Sequence, residues 1–97
     1  MIDYLSLDDV AWVHADRRQR LGLDPAPLHA PFSLWAERLA TELQRPQAAA
    51  HYEQADLIRQ SAFLAVGIAF LKPFVAGNYR IAYAAMETFL DLNRYII

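Results

Sequence analysis

"AFLAVGIAFLKPFVAGNYR", residues 62–80, decides the reading of this chain. Its first part, Ala62 to Leu71, is the longest apolar run in the sequence. A bilayer span needs about 20 such residues, so the run reads as a buried helix. Pro73 stops that helix, because proline has no amide hydrogen and its ring clashes with the preceding turn. Gly77 opens backbone shapes closed to other residues, and Asn78 is the expected N-cap of a following helix. The stretch is therefore a helix, a loop and a second helix, with the loop set against the apolar centre.

The rest of the chain reads outward from this hairpin. A first helix is expected from about Leu7 to Arg20. Ser6 is its N-cap, Asp8 and Asp9 suit its positive end, and Arg17, Arg18 and Arg20 suit its negative end. Leu7, Val10, Ala11 and His14 fall on one stripe, and Gly22 ends it. "LDPAPLHAP", residues 23–31, holds three prolines and is a loop. A second helix runs from about Phe32 to Gln44, with Trp35, Leu39 and Leu43 on one face, and Pro46 ends it. Pro46 to Asp56 fits a loop, a short hairpin or an irregular flap. A third helix runs from about Asp56 to Leu71 and is apolar all round in its second half, which makes it the central helix. A fourth runs from about Asn78 to Asn93, with Ile81, Ala82, Ala85, Met86, Phe89 and Leu92 facing inward. The tail "RYII" is expected to pack on the body or on a partner. No strand is signalled, and the class is all-α in a single domain, 1–97.

Composition narrows the function classes. With 97 residues, 56% of them hydrophobic, one domain with one core is expected. There is no cysteine, which removes disulfides and thiolate metal sites. The N-terminus "MIDYLSLDDV" has acids where a secretory signal needs positive charge. A cytoplasmic protein without a membrane span is the expectation. The net charge of −2 argues against direct binding of nucleic acid, while leaving room for a local positive site.

The loop can form such a site. The first N–H groups of a helix have no internal partner and sit at the positive end of its dipole. Arg80 adds a planar cation suited to phosphate, and Lys72 adds a charge from the other side. A plain helix-to-helix turn accounts for the same residues.

"KPFVAGNYR" resembles the signature of the Fic/Doc family, which reads H-P-F-x-[D/E]-G-N-G-R in Fic enzymes and H-x-F-x-D-A-N-K-R in the death-on-curing (Doc) branch. Pro73, Phe74, Gly77, Asn78 and Arg80 match in register. The helix that follows resembles the Doc helix ending F-L-x-x-N-G, through Phe89, Leu90 and Asn93, with Arg94 in place of the glycine. Upstream, Arg45 to Gln47 resembles the family's A-R-P-Q, and "YLSLDDVAWVH" resembles its opening x-L-x-x-E-V-x-x-x-H. The resemblance implies a small helical bundle, shortened at its C-terminal end.

It also implies a chemistry. Fic proteins move a phosphate-containing group from a nucleotide to a protein hydroxyl. Doc moves the γ-phosphate of ATP to elongation factor Tu and is the toxin of a pair, held by the antitoxin Phd. Carried onto this chain, the Gly77 and Asn78 amides and the Asn78 side chain would hold phosphate oxygens. Arg80 would neutralise transition-state charge, and Pro73 and Phe74 would anchor the loop. The segment from Pro46 to Asp56 would be the flap that aligns the target. The implied cofactors are ATP or another nucleotide, with Mg²⁺. The implied partners are a Phd-like antitoxin and a translation factor, with a second copy of the chain as a further candidate.

Three positions depart from the family. Lys72 stands where the catalytic histidine belongs. Histidine titrates near pH 6.5, roughly, whereas lysine titrates near 10.4 and is protonated at neutral pH. Ala76 stands where an acidic residue binds Mg²⁺, and alanine cannot ligate metal. Tyr79 replaces a glycine or lysine at the mouth of the site. Lys72 and Arg80 are the candidate catalytic positions, and Gly77, Asn78 and Arg80 the phosphate-binding ones. A catalytically inactive protein that binds an antitoxin or a nucleotide phosphate is the alternative.

Other residues have quieter readings. His14 is expected to be a satisfied, partly buried histidine. His29 and His51 lie in polar segments, and no metal pattern links the three. "SLWAER", residues 33–38, resembles the family's inhibitory S/T-x-x-x-E-G/N motif, with Arg38 breaking it. Trp12 and Trp35 are expected in the core or at an interface.

Overall fold

The structure, a computed structural model, describes residues 1–95, and Ile96 and Ile97 of the expected packed tail lie outside them. Among the described residues five helices follow one another: α1 (Leu7–Arg20), α2 (Phe32–Leu43), α3 (Arg45–Glu53), α4 (Leu57–Leu71) and α5 (Asn78–Leu92). The class is all-α, as read. The first helix begins where its cap predicts. The Ser6 hydroxyl accepts from Asp9 N–H at 3.1 Å, and the Asp9 carboxylate accepts from Ser6 N–H at 2.9 Å. This reciprocal box satisfies two backbone donors at once. Asp56 caps α4 with a single bond, its side chain accepting from Arg59 N–H at 2.8 Å.

The count of helices differs from the reading by one. Pro46 does not end α2; it sits at the start of α3, where a missing amide hydrogen costs nothing. The ambiguous segment is thus helical over Arg45–Glu53, and Gln54 turns it off with a left-handed backbone at φ 52°. Gln44, expected inside α2, is its C-cap.

α4 and α5 form an antiparallel hairpin that makes the most extensive helix–helix contact in the fold. Ile68 of α4 and Phe89 of α5 are fully buried, with Leu39 of α2 and Val10 of α1 closing the core from two sides. Each such side chain contributes roughly 1.5–3 kcal/mol by leaving water. The inner face of α5 is shifted from the one expected: Ala84 and Leu90 are buried, Met86 is half-buried and Leu92 is exposed. On α1, Val13 is buried and Ala11 is exposed. Nor is α4 enclosed all round. Ile58, Val66 and Phe70 face outward, Phe70 with 83% of its surface exposed. Trp12 is exposed and so not in the core, the first of its two expected places, and Trp35 is half-buried between His29 and Arg38.

The proline-rich loop is held to the α4–α5 loop. Leu28 pairs with Phe74 as an isolated antiparallel bridge. His29 N–H donates to Pro73 O and Val75 N–H donates to Pro27 O, both at 2.9 Å. The two prolines can only accept, so the neighbouring residues supply the donors. No strand longer than this bridge occurs among the described residues.

Candidate functional site

The loop between α4 and α5 is pinned from below by two buried residues. Pro73 and Phe74 are both buried, Phe74 at 3% exposure. Lys72 ends α4 in a left-handed conformation, φ 51° and ψ 59°, and its N–H donates to Ile68 O. Gly77 is the N-cap of α5, also left-handed at φ 77°, and no side chain caps the helix. The amides at the start of α5 are therefore not satisfied within the helix. They stand at the positive end of its dipole.

Asn78 is the first residue of α5 rather than its cap, which corrects the expectation. Its side chain turns back into the loop. Oδ1 accepts from Phe74 N–H at 2.9 Å, and Nδ2 donates to Phe74 O at 2.8 Å. The side chain expected to hold phosphate is thus committed largely to the loop's shape. The Phe74 and Val75 amides are committed to Asn78 and Pro27, so the amides at the start of α5 remain the candidate ligands.

His14 braces the same loop from α1. Its Nε2 lies 3.0 Å from Ala76 O. A carbonyl only accepts, so Nε2 carries a proton in this contact. The ring also packs on Phe74, with centroids 4.2 Å apart. Burial is the main cause that lowers the His14 pKa; the bond to Ala76 opposes it and the Arg18 charge adds to it. His14 is a satisfied core histidine, as read, more buried than expected at 3% exposure.

Lys72 and Arg80 are exposed. Lys72 Nζ sits 5.6 Å from the centroid of the Tyr79 ring, a position that suits an ammonium. The Mg²⁺ site of the signature does not fit these residues. The loop from Leu71 to Arg80 contains no acidic residue, and no group of three His, Cys, Asp or Glu side chains among the described residues is placed to hold a metal.

One residue of this region was read only as a helix-end charge. Arg18 lies against Gly77: a methyl group built on Gly77 would stand 3.0 Å from Arg18 Nη1 and 2.9 Å from His14 Cε1. The Arg18 Nε–H donates to Asp24 O, which closes the end of α1. Behind the loop lies a cavity of about 270 Å³, lined by Leu7, Ala11, His14, Pro27, Phe32 and Phe74. His29 and His51 take no part in the loop's side-chain contacts. His29 packs instead at a tilt on Trp35, and His51 meets Tyr52 edge-on. No described helix is long and apolar enough to cross a membrane.

A model of the Fic/DOC family matches residues 4–90. That match covers every helix start, the proline-rich loop and the whole α4–α5 loop. No curated protein matches the chain closely enough to be counted a relative.

Proposed function

The chain belongs to the Fic/DOC family, and on that premise we propose that its α4–α5 loop holds the phosphate chain of a nucleotide. The observation that carries the reading is the uncapped start of α5 behind a left-handed Gly77, with Lys72 at the end of α4 and Arg80 in the first turn of α5. Backbone donors, a helix dipole and two cations all favour the same ligand, an oxyanion. The biological setting we propose is that of a Doc-like toxin of a toxin–antitoxin module, with a Phd-like antitoxin as partner and a translation factor such as elongation factor Tu as target.

In the transfer reaction of such a protein, a target hydroxyl oxygen forms a bond to phosphorus. The bond to the leaving nucleotide or pyrophosphate oxygen breaks, and the hydroxyl proton passes to a base. The loop amides and Arg80 supply the electrostatic part of that reaction. Lys72, at the position of the signature's base, is an exposed amine beside an aromatic face rather than an imidazole. Phosphate binding with weak or absent transfer is therefore the better supported form of the proposal. His14 does not replace the missing base, because its Nε2 is occupied by Ala76 O and its ring is buried.

The test is transfer of label from ATP, carried at the α or the γ phosphate, to elongation factor Tu or to lysate proteins. Wild type, Lys72→His, Lys72→Ala and Arg80→Ala are compared, with nucleotide binding measured on the same samples. Binding lost in Arg80→Ala with no transfer by wild type supports the binding form. Transfer by wild type, lost in Lys72→Ala, would show a working lysine base. Absence of any nucleotide binding would refute the phosphate site itself.

A further inference from the structure

The signature's metal and the residues of this chain disagree, and the disagreement has a direction. Where an acid would bind Mg²⁺ the chain has Ala76, and the entire loop carries no carboxylate. The charged residues of the loop and the first turn after it are instead both basic. Lys72 and Arg80 belong to the loop and its following turn. Arg18 comes from α1 and brings Nη1 to 3.0 Å from the Cβ position of Gly77. Among the described residues no carboxylate forms an ion pair with Arg18, Lys72 or Arg80; the pairs present are Arg20–Asp16, Arg45–Glu42 and Arg59–Glu53.

This placement is electrostatically unfavourable in the free protein. A guanidinium beside the start of α5 stands at the end of the helix where anions, not cations, are stabilised. It also lies close enough to His14 to disfavour a charge there. The chain has a net charge of −2, so cations without acidic partners at one loop are not a consequence of an overall excess of positive charge. An anion relieves the repulsion, and the more negative the anion the greater the relief. Mg²⁺ works against this in two ways. It reduces the charge of the polyphosphate, and it brings an ion that needs oxygen ligands to a loop without a carboxylate.

We infer that the loop takes a polyphosphate in its metal-free form, with the Arg18 guanidinium occupying the electrostatic role that Mg²⁺ fills elsewhere in the family. The inference rests on the reading of the loop as a phosphate site and specifies which form of the ligand it takes. Arg18 is a binding residue in this account, reached from a helix outside the signature. Its hydrogen bond to Asp24 O holds Nε and leaves the outer nitrogens of the fork for an anion.

The test uses the full chain and inorganic tripolyphosphate, titrated by calorimetry in EDTA and in excess MgCl₂ at matched ionic strength. Wild type is expected to bind more tightly in EDTA, by about fivefold or more, the size of one close charge pair in water. Arg18→Gln is expected to lose about the same factor in EDTA, and Arg18→Lys to retain most of the affinity. Ala76→Asp restores a carboxylate and is expected to reverse the preference in favour of the Mg²⁺ form. Circular dichroism verifies that each variant is folded, and the wild-type comparison of the two buffers stands without any variant. Equal or tighter binding by wild type in MgCl₂ overturns the inference and leaves the phosphate site intact. Wild-type affinity in a folded Arg18→Gln overturns the role of Arg18. No binding in either buffer overturns the phosphate reading and this inference with it.

Discussion

Asn78 holds Phe74 by both backbone groups, accepting from its N–H at 2.9 Å and donating to its carbonyl at 2.8 Å. One side chain thereby closes the loop across the start of α5, over an aromatic ring buried in the core. Asn78→Asp keeps the acceptor and loses the donor, leaving the Phe74 carbonyl without its partner. It also places a negative charge beside the proposed anion site. The expected loss of stability is about 1–2 kcal/mol, read from urea unfolding, with phosphate binding lost in the folded variant. A variant as stable as wild type would show that the two bonds do not hold the loop.

His14 makes stability depend on pH with a defined sign. Burial lowers its pKa in the folded chain below the ordinary 6.5. As pH falls below 6.5 the unfolded chain takes up a proton before the folded chain does. The contribution is therefore complete above pH 6.5 and is lost as pH falls toward the folded pKa. The melting temperature of wild type is expected to drop over that interval more steeply than that of His14→Gln, which has no ring to titrate. Parallel profiles for the two proteins would remove His14 from the account.

Glycines at two left-handed positions separate backbone strain from crowding. Gly22 at φ 68° has nothing within 4 Å of a built Cβ, whereas Gly77 at φ 77° has His14 Cε1 at 2.9 Å and Arg18 Nη1 at 3.0 Å. Gly22→Ala is expected to cost about 1 kcal/mol, the conformational penalty alone. Gly77→Ala carries that penalty and also displaces His14 or Arg18 from the loop. It is expected to cost about 2 kcal/mol or more and to weaken phosphate binding. Equal destabilisation in the two variants would mean that α1 does not press on Gly77.

How much of this was legible depended on how local each signal is. Caps and apolar stripes lie within a few residues of the helix they mark, so Ser6 placed the start of α1 and the apolar run before Pro73 placed α4. α3 was missed because "RPQAAAHYE" has only a weak apolar stripe and its proline reads equally as an end or a beginning. The loop's residues were legible because they are contiguous. Its supports were not. His14 meets Ala76 across 62 positions, and the bridge from Leu28 to Phe74 joins two proline-containing segments that carry no strand pattern. Arg18 looked like an ordinary charge at the end of a helix, because only packing brings α1 to Gly77. The outward face of α4 was hidden for a related reason: a run that is apolar all round cannot say which side lacks a neighbour.

Lys72 joins strain and function in one residue. It holds φ 51° at the C-cap of α4, a conformation that costs a side-chain-bearing residue roughly 1–2 kcal/mol. Glycine is the usual residue at such a position. Lys72→Gly removes that strain and adds freedom to the unfolded chain, for a net gain in stability of about 0.5–1 kcal/mol. The same change removes a cation from the mouth of the proposed site, so tripolyphosphate is expected to bind several-fold more weakly, by about the strength of one exposed charge pair. Lys72→Ala keeps the strain and loses the charge, so it is expected to match Lys72→Gly in binding and to fall below it in stability. Urea unfolding and calorimetric titration on the three proteins read both quantities. A Lys72→Gly protein that is more stable and binds as well as wild type would mean that the lysine ammonium is not part of the phosphate site.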